Sequence, residues 1–201
     1  MRVVPQKMIR TFSYIHCMAL DSPRVGGNPP ASTHANLYDE WTQYFGTFPI
    51  PDHAPFQFSL FHRFDITGDD ESRELILHNN RILEPSPLIW VDIHSPSTKS
   101  SRFAGSHRAF SPMCLQFSDP IEDCFDGVSP YPENKVGGLA YSERHWAFEA
   151  YQSMAPLGYA HLLQIGQDGL IPDGFPWDPG YLNVWSSEPL DPNAYRFCIQ
   201  Q

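Results

Sequence analysis

The sequence predicts an α+β, β-rich single domain built of two duplicated β halves with a few short helices. The tetrad Arg24-Val25-Gly26-Gly27 recurs as Lys135-Val136-Gly137-Gly138, and each copy opens a similar series of landmarks in the same order. Aromatic residues make up 14% of the chain, which suits pleated surfaces on which flat and β-branched side chains pack well. Twenty Pro and thirteen Gly, against 18% charged residues, indicate many short elements joined by turns. With 201 residues, 41% of them hydrophobic, one sizeable core can be buried.

After the first tetrad come an apolar run at 56–66, a Trp-bearing run at 88–93 and the string Met113-Cys114-Leu115-Gln116. After the second come 159–165, 181–185 and Phe197-Cys198-Ile199-Gln200. The expected organisation is one domain over 1–201, with a first repeat at 24–117, an acidic link at 118–134 and a second repeat at 135–201.

Residues 8–20 read as one strand with imperfect alternation at Phe12, Tyr14, Ile15 and Cys17. Residues 21–31 form a loop, because Gly26-Gly27 supplies backbone freedom and Pro29-Pro30 forbids helix. Leu37, Trp41 and Tyr44 recur at helical spacing, so 36–45 reads as a helical turn or two, with a surface strand as the alternative. Pro49, Pro51 and Pro55 make an extended entry to 56–66, where Phe58 and Leu60 alternate with Gln57 and Ser59 as in a half-buried strand. Strands are expected at 73–83 and 87–94, the latter with Trp90 and Asp92 on one face and Ile89, Val91 and Ile93 on the other. Residues 95–106 read as an exposed loop and 113–117 as the strand closing the first repeat. In the second repeat, 142–153 lacks Gly and Pro and reads as helical, whereas 159–165, 181–185 and 195–200 read as strands around a turn region at 166–180.

A formal charge of −10 with only thirteen Lys and Arg argues against a nucleic-acid binder, because cationic side chains must neutralise phosphates. The same charge would steer a basic partner toward the surface. Cys17, Cys114, Cys124 and Cys198 contain no Cys-x-x-Cys pair, and they read as reduced, mostly buried small apolar residues. No apolar run suits a signal peptide or a membrane span, so a soluble, cytoplasmic protein is expected.

Val136-Gly137-Gly138, Tyr151-Gln152, Leu162-Leu163-Gln164-Ile165, the Asp168-Gly169 turn and the run Leu182, Asn183, Val184, Trp185 resemble the YwqG-like family of bacterial proteins. Gly26-Gly27-Asn28-Pro29 matches the family's first Gly-Gly-x-Pro string. Where the family tends to have Gln-Ile-Asp-Leu, this chain has Arg63-Phe64-Asp65-Ile66, and Leu139-Ala140-Tyr141 lacks the Pro expected after the second Gly-Gly. The resemblance is that of a divergent member. It implies two similar halves and no defined biochemical activity, and it suggests an immunity role, because such genes tend to lie in toxin and immunity loci.

Local catalytic motifs are missing from the sequence. No two of the nine His lie within four positions, so no His-Glu-x-x-His pair exists. There is no Gly-x-Ser-x-Gly elbow, and neither Gly-Gly string continues as a phosphate loop. Asp65, Asp69, Asp70 and Glu71 lack the alternation of an EF-hand and read as solvated turn charge.

The expected function is therefore a non-enzymatic protein-binding protein, an immunity protein that neutralises a cognate, possibly basic, bacterial toxin by direct binding. No cofactor, metal, nucleic acid or membrane is expected. Its expected contacts are acidic, at Asp69, Asp70, Glu71, Asp119, Glu122, Asp123 and Asp126, with Trp41 and Trp146 as aromatic anchors. The alternative is an enzyme or small-ligand binder with a site between the halves, using His62, Arg63, Asp65 and His161.

Overall fold

The structure is a computed structural model that describes residues 8–16, 23–63, 88–101, 112–123, 134–140, 153–166 and 181–200. Its strands are β1 (Met8–His16), β2 (Arg24–Val25), β3 (Gln43–Pro49), β4 (Gln57–His62), β5 (Ile89–His94), β6 (Met113–Phe117), β7 (Ile121–Glu122), β8 (Lys135–Val136), β9 (Ala160–Ile165), β10 (Tyr181–Ser186) and β11 (Tyr195–Gln200). They form one sheet in the order β11-β10-β9-β8-β1-β6-β2-β3-β4-β5, with β7 also paired to β1. All pairings are antiparallel. The β-rich expectation therefore holds, and the sheet is nearly closed and barrel-like.

Helices are almost absent among the described residues: short 3-10 turns occur at Ala35–Leu37, Ala155–Leu157 and Pro192–Ala194. Of the helical turn or two read at 36–45, only the 3-10 turn at Ala35–Leu37 is found, and the segment ends in β3, which holds Tyr44 and Phe45. Helical spacing there was coincidental, since Leu37 and Trp41 point to solvent and provide no buried helical face. A turn closes the segment instead, with Thr42 N–H on the Asp39 carbonyl at 3.2 Å and Thr42 Oγ1 on Asp39 Oδ1 at 2.8 Å. The strand expected at 73–83 and nearly all of the helix expected at 142–153 lie outside the described residues.

Each tetrad forms the two-residue strand that joins the central β1–β6 pair to an outer three-stranded meander. Thus β2 leads to β3-β4-β5, and β8 leads to β9-β10-β11. Each meander also carries a one-residue bulge. In the first, Tyr44 faces Phe61 and Gly46 faces Leu60, leaving Phe45 unmatched. In the second, His161 faces Trp185 and Leu163 faces Val184, leaving Leu162 unmatched. The landmark correspondence read from the sequence needs correction, because Met113-Cys114-Leu115-Gln116 sits in the central strand β6 and Phe197-Cys198-Ile199-Gln200 in the outermost strand β11. The acidic link is also more than a link: β7 within it continues β6 along β1, with Ile121 opposite Ile9.

Side chains of both meanders meet in one core. Val25, Phe48, Phe58, Leu60 and Val91 from one side pack with Val136, Leu163, Ile165, Leu182 and Val184 from the other, around Phe12 and Leu115 of the central pair. Aromatic contacts run from Phe12 to Phe48 (6.4 Å), Phe58 (5.6 Å from Phe48) and Tyr195 (5.5 Å from Phe58), joining the centre to the last strand.

Cys114 forms a disulfide, which corrects the expectation that all four cysteines are reduced. Its partner lies outside the described residues. Cys198 is not disulfide-bonded, and burial pushes its thiol up to about 12, so it holds no thiolate at neutral pH. Because Cys114 lies in the central strand β6, reduction should destabilise the whole sheet. The urea midpoint, measured with and without reductant, should fall by an amount equivalent to about 2–4 kcal/mol, and Cys114→Ser should match the reduced protein.

Candidate functional site

Alternation in a strand sends every second side chain to the face away from the core. On that second face the two meanders carry polar rows in register. Arg24 lies opposite Thr47, Thr47 opposite Ser59 and Ser59 opposite Asp92. In the other half, Lys135 lies opposite Gln164, Gln164 opposite Asn183 and Asn183 opposite Cys198. Apart from Cys198, which is partly exposed, every member of these rows is buried. A buried polar group without partners is destabilising, so the hydrogen bonds of these rows are obligatory.

In the first row they form a directed chain. His94 Nδ1 lies 2.9 Å from the Ser95 carbonyl, which only accepts, so Nδ1 carries the proton. Burial holds the His94 pKa below its ordinary value, leaving Nε2 as an acceptor for Ser59 Oγ at 2.8 Å. Ser59 then accepts from Thr47 at 2.7 Å, and Thr47 accepts from the Tyr44 hydroxyl at 2.6 Å. The Tyr44 phenol, pushed up to about 12 mainly by burial, stays neutral and donates. Ser59 and His94 are thus spaced like a nucleophile and its base, but Ser59 is fully buried and its hydroxyl is committed inside the chain.

In the second row the cation is Lys135. Its Nζ sits 3.0 and 3.1 Å from the two carboxylate oxygens of Asp123, and Asp123 also accepts from Leu139 N–H at 2.6 Å. The two side chains are 1% and 7% exposed. Gly138 makes room at a positive φ of 71°, since a β-carbon there would collide with the Asp123 carboxylate and with Ile9. Arg24, at the same place in the first tetrad, is also buried and donates to the Asn28 carbonyl at 2.9 Å. His161 Nδ1 lies 3.0 Å from the Gly137 carbonyl, and its Nε2 lies 3.0 Å from Asn183 Oδ1. Trp185 Nε1 is the one buried side-chain nitrogen or oxygen among the described residues that lacks a hydrogen bond.

Outside these rows, residues 29–42 lie over the first meander as a pinned loop. Pro30 bridges Ser100, and Ala31 N–H reaches the Lys99 carbonyl at 2.8 Å. Ser32 Oγ meets His94 Nδ1 at 3.0 Å and the Ser95 carbonyl at 2.8 Å. His34 N–H donates to Asp92 at 2.8 Å. The Tyr38 ring packs edge-on against Phe61 and Trp90, and Arg63 holds Asp39 at 2.7 Å while lying over the Trp90 ring. From this fixed backbone Leu37 and Trp41 project into solvent, 73% and 74% exposed, beside the exposed acid Glu40.

The residues expected from the sequence are dispersed. Trp41, Asp119 and Glu122 are exposed as a contact role requires. Asp123 is corrected, because its carboxylate is spent on buried Lys135 and is unavailable to a partner. Asp69, Asp70, Glu71, Asp126 and Trp146 lie outside the described residues, as does Asp65 of the alternative set. His62 is buried in β4 between Gln43 and Ile89, whereas His161 belongs to β9, six strands away in the sheet order. No group of three His, Cys, Asp or Glu among the described residues is placed to hold a metal ion. Sequence reasoning missed Arg24, Lys135, Thr47, Ser59, Asp92 and His94 as a connected set. The available signal was the polar alternation in Gln57-Phe58-Ser59-Leu60 and Ile89-Trp90-Val91-Asp92.

No family model matches this chain, and neither a curated protein nor a solved structure matches it. The resemblance to the YwqG-like family accordingly rests on the short strings quoted above.

Two stability predictions arise from the rows. Asp123→Ala, which leaves Lys135 buried and unpaired, should lose about 3–5 kcal/mol in chemical denaturation, and adding Lys135→Met should recover most of it. His94 binds its proton less tightly when folded than when unfolded, so the unfolded chain binds more protons just below pH 6.5. Stability should fall as pH drops from about 6.5 toward the lower folded value, and His94→Gln should show a flatter profile in that window.

Proposed function

We propose that this protein is a non-enzymatic protein-binding protein and, within that class, an immunity protein that neutralises a cognate bacterial toxin by direct contact. The observation that carries the proposal is the pinned loop 29–42, which holds Leu37 and Trp41 out of the core on a backbone fixed by hydrogen bonds on both sides. Solvent-facing Trp on a preorganised loop is a costly arrangement for an isolated surface, and it is the kind of residue that dominates interfaces. Preorganisation lowers the ordering entropy of association.

Chemistry points the same way. The Ser, His and Tyr side chains of the first row are committed to one another within the fold, so they support a scaffold role and not turnover. The net charge of −10 favours a basic partner, with Asp119 and Glu122 as exposed contacts. The toxin identity of the partner rests on the family resemblance. On compartment, the Cys114 disulfide weighs against the cytoplasm expected from the sequence, because cytosolic reductants keep thiols reduced. An oxidising setting is the one proposed.

We further propose that the two meanders descend from one duplicated unit. Support comes from the tetrad at the head of each, the buried cation in each tetrad, and the bulge between the first and second strands after it. The equivalence this implies is β3 with β9, β4 with β10 and β5 with β11.

The test is binding to the product of the adjacent gene. Wild-type protein should form a complex that weakens with added salt, and Trp41→Ala should weaken it by about thirtyfold, the loss typical of a buried aromatic hot spot. Absence of binding at any salt concentration refutes the proposal.

A further inference from the structure

The loop 29–42 is held over the first meander, and both polar contacts of its His34 meet one residue, Asp92.

Asp92 stands in β5 directly opposite Ser59, on the second face of the sheet. Its carboxylate leaves that row and reaches outward into the loop. One oxygen accepts from the backbone N–H of His34 at 2.8 Å, and the other lies 3.4 Å from the His34 ring. Beyond the turn, the Tyr38 phenol is pushed up by burial first and by the Asp92 carboxylate second. The His34 contacts stand at the start of Ala35–Leu37, the 3-10 turn from which Leu37 projects and which leads toward Trp41. His34 at the N-cap of that turn makes no side-chain cap bond, and the Ala35 N–H meets Thr33 Oγ1 at 3.4 Å. Asp92 takes over the capping from across the sheet: an acceptor of opposite sign meets a backbone N–H at the turn's start. It is supported from behind by His94 in the same strand, which holds Ser32.

We propose that Asp92 is the positioning residue for the Leu37–Trp41 surface, fixing the turn that displays those two side chains to a protein partner. The role of the surface rests on the binding function proposed above, whereas the positioning does not. Asp92 touches no partner, being mostly covered, and acts through His34 and Tyr38. Its effect is preorganisation: without it the turn keeps its sequence but samples other conformations, and binding must order it. The titratable and charged groups facing Asp92 are His34 on the loop, His94 on its own strand and Tyr38 packed over Trp90.

The test compares wild type with Asp92→Ala and Asp92→Leu, both of which remove the acceptor for the His34 N–H. The second keeps the side-chain bulk, so it answers the question even if the first fails to fold. Amide hydrogen exchange in the free protein is read at residues 34–42 and, as a reference, in β9 and β10. Expected are exchange at least about tenfold faster at 34–42 with unchanged protection in β9 and β10, and an affinity for the neighbouring gene product reduced mainly through faster dissociation. Unchanged exchange at 34–42 in both variants overturns the proposal. Faster exchange at 34–42 in variants of a protein that binds no neighbouring product supports the positioning and refutes the binding function, so the two failures are distinct.

Discussion

The buried ion pair between Lys135 and Asp123 is the constraint around which the sheet is assembled. A lysine ammonium removed from water is strongly unfavourable unless a carboxylate meets it in good geometry, and here both oxygens do. The pair joins three pieces of chain: the end of β7, the two-residue strand β8 and the turn at Gly137 and Gly138. Strands of two residues contribute few ladder bonds, so β8 and β2 depend on what their side chains do. Lys135 and Arg24 each project from such a strand into a covered face, while Val136 and Val25 enter the common core on the other. The tetrad is thus a clip with an apolar and a cationic prong, and its double Gly provides the left-handed turn that lets other backbone close over the cation.

Burial on both faces follows from this. A sheet with only one covered face would leave Thr47, Ser59, Gln164 and Asn183 in water with no need for mutual hydrogen bonds. Their burial turns ordinary strand polar residues into a specified network, and a fully satisfied network fixes register, because a one-residue slip would drive every polar group of the row into the apolar core. The same network reaches the surface at Asp92 and His94, where it holds the loop that bears Leu37 and Trp41. Interior order and surface display are therefore one continuous structure in the first meander.

Much of the strand content was legible in the sequence because period-two alternation is a local property. Residues 113–117, 159–165 and 181–185 lie within a residue or so of the strands observed. The tetrads were legible too, but as glycines: the cations beside them were not, since the burial of Arg24 and Lys135 depends on distant chain. Asp123 was misread for the same reason. Its neighbours in sequence are acidic and polar, as in a solvated link, and only the pairing of β7 with β1 carries it inward. The helical reading of 36–45 failed beyond the turn at Ala35–Leu37 because spacing alone does not show that Leu37 and Trp41 lack a surface to pack on. Trp41 was identified as an anchor from its type, and the loop that fixes it was beyond local reasoning, because its holdfasts Asp92 and His94 are more than fifty positions away.

The one-way course of the hydrogen bonds from Tyr44 through Thr47 and Ser59 to His94 also bears on how such a sequence can drift. Thr47 and Ser59 each give a proton to the next residue and take one from the last, so removing either strands a donor on one side and an acceptor on the other. Replacement by an apolar residue is tolerable only if neighbours change with it. Paired changes in the row are therefore easier to accommodate than single ones, whereas the core beside it tolerates volume-conserving apolar swaps. The two rows of this chain show how differently such a face can be filled: Arg24, Thr47, Ser59 and Asp92 in one meander, Lys135, Gln164, Asn183 and Cys198 in the other.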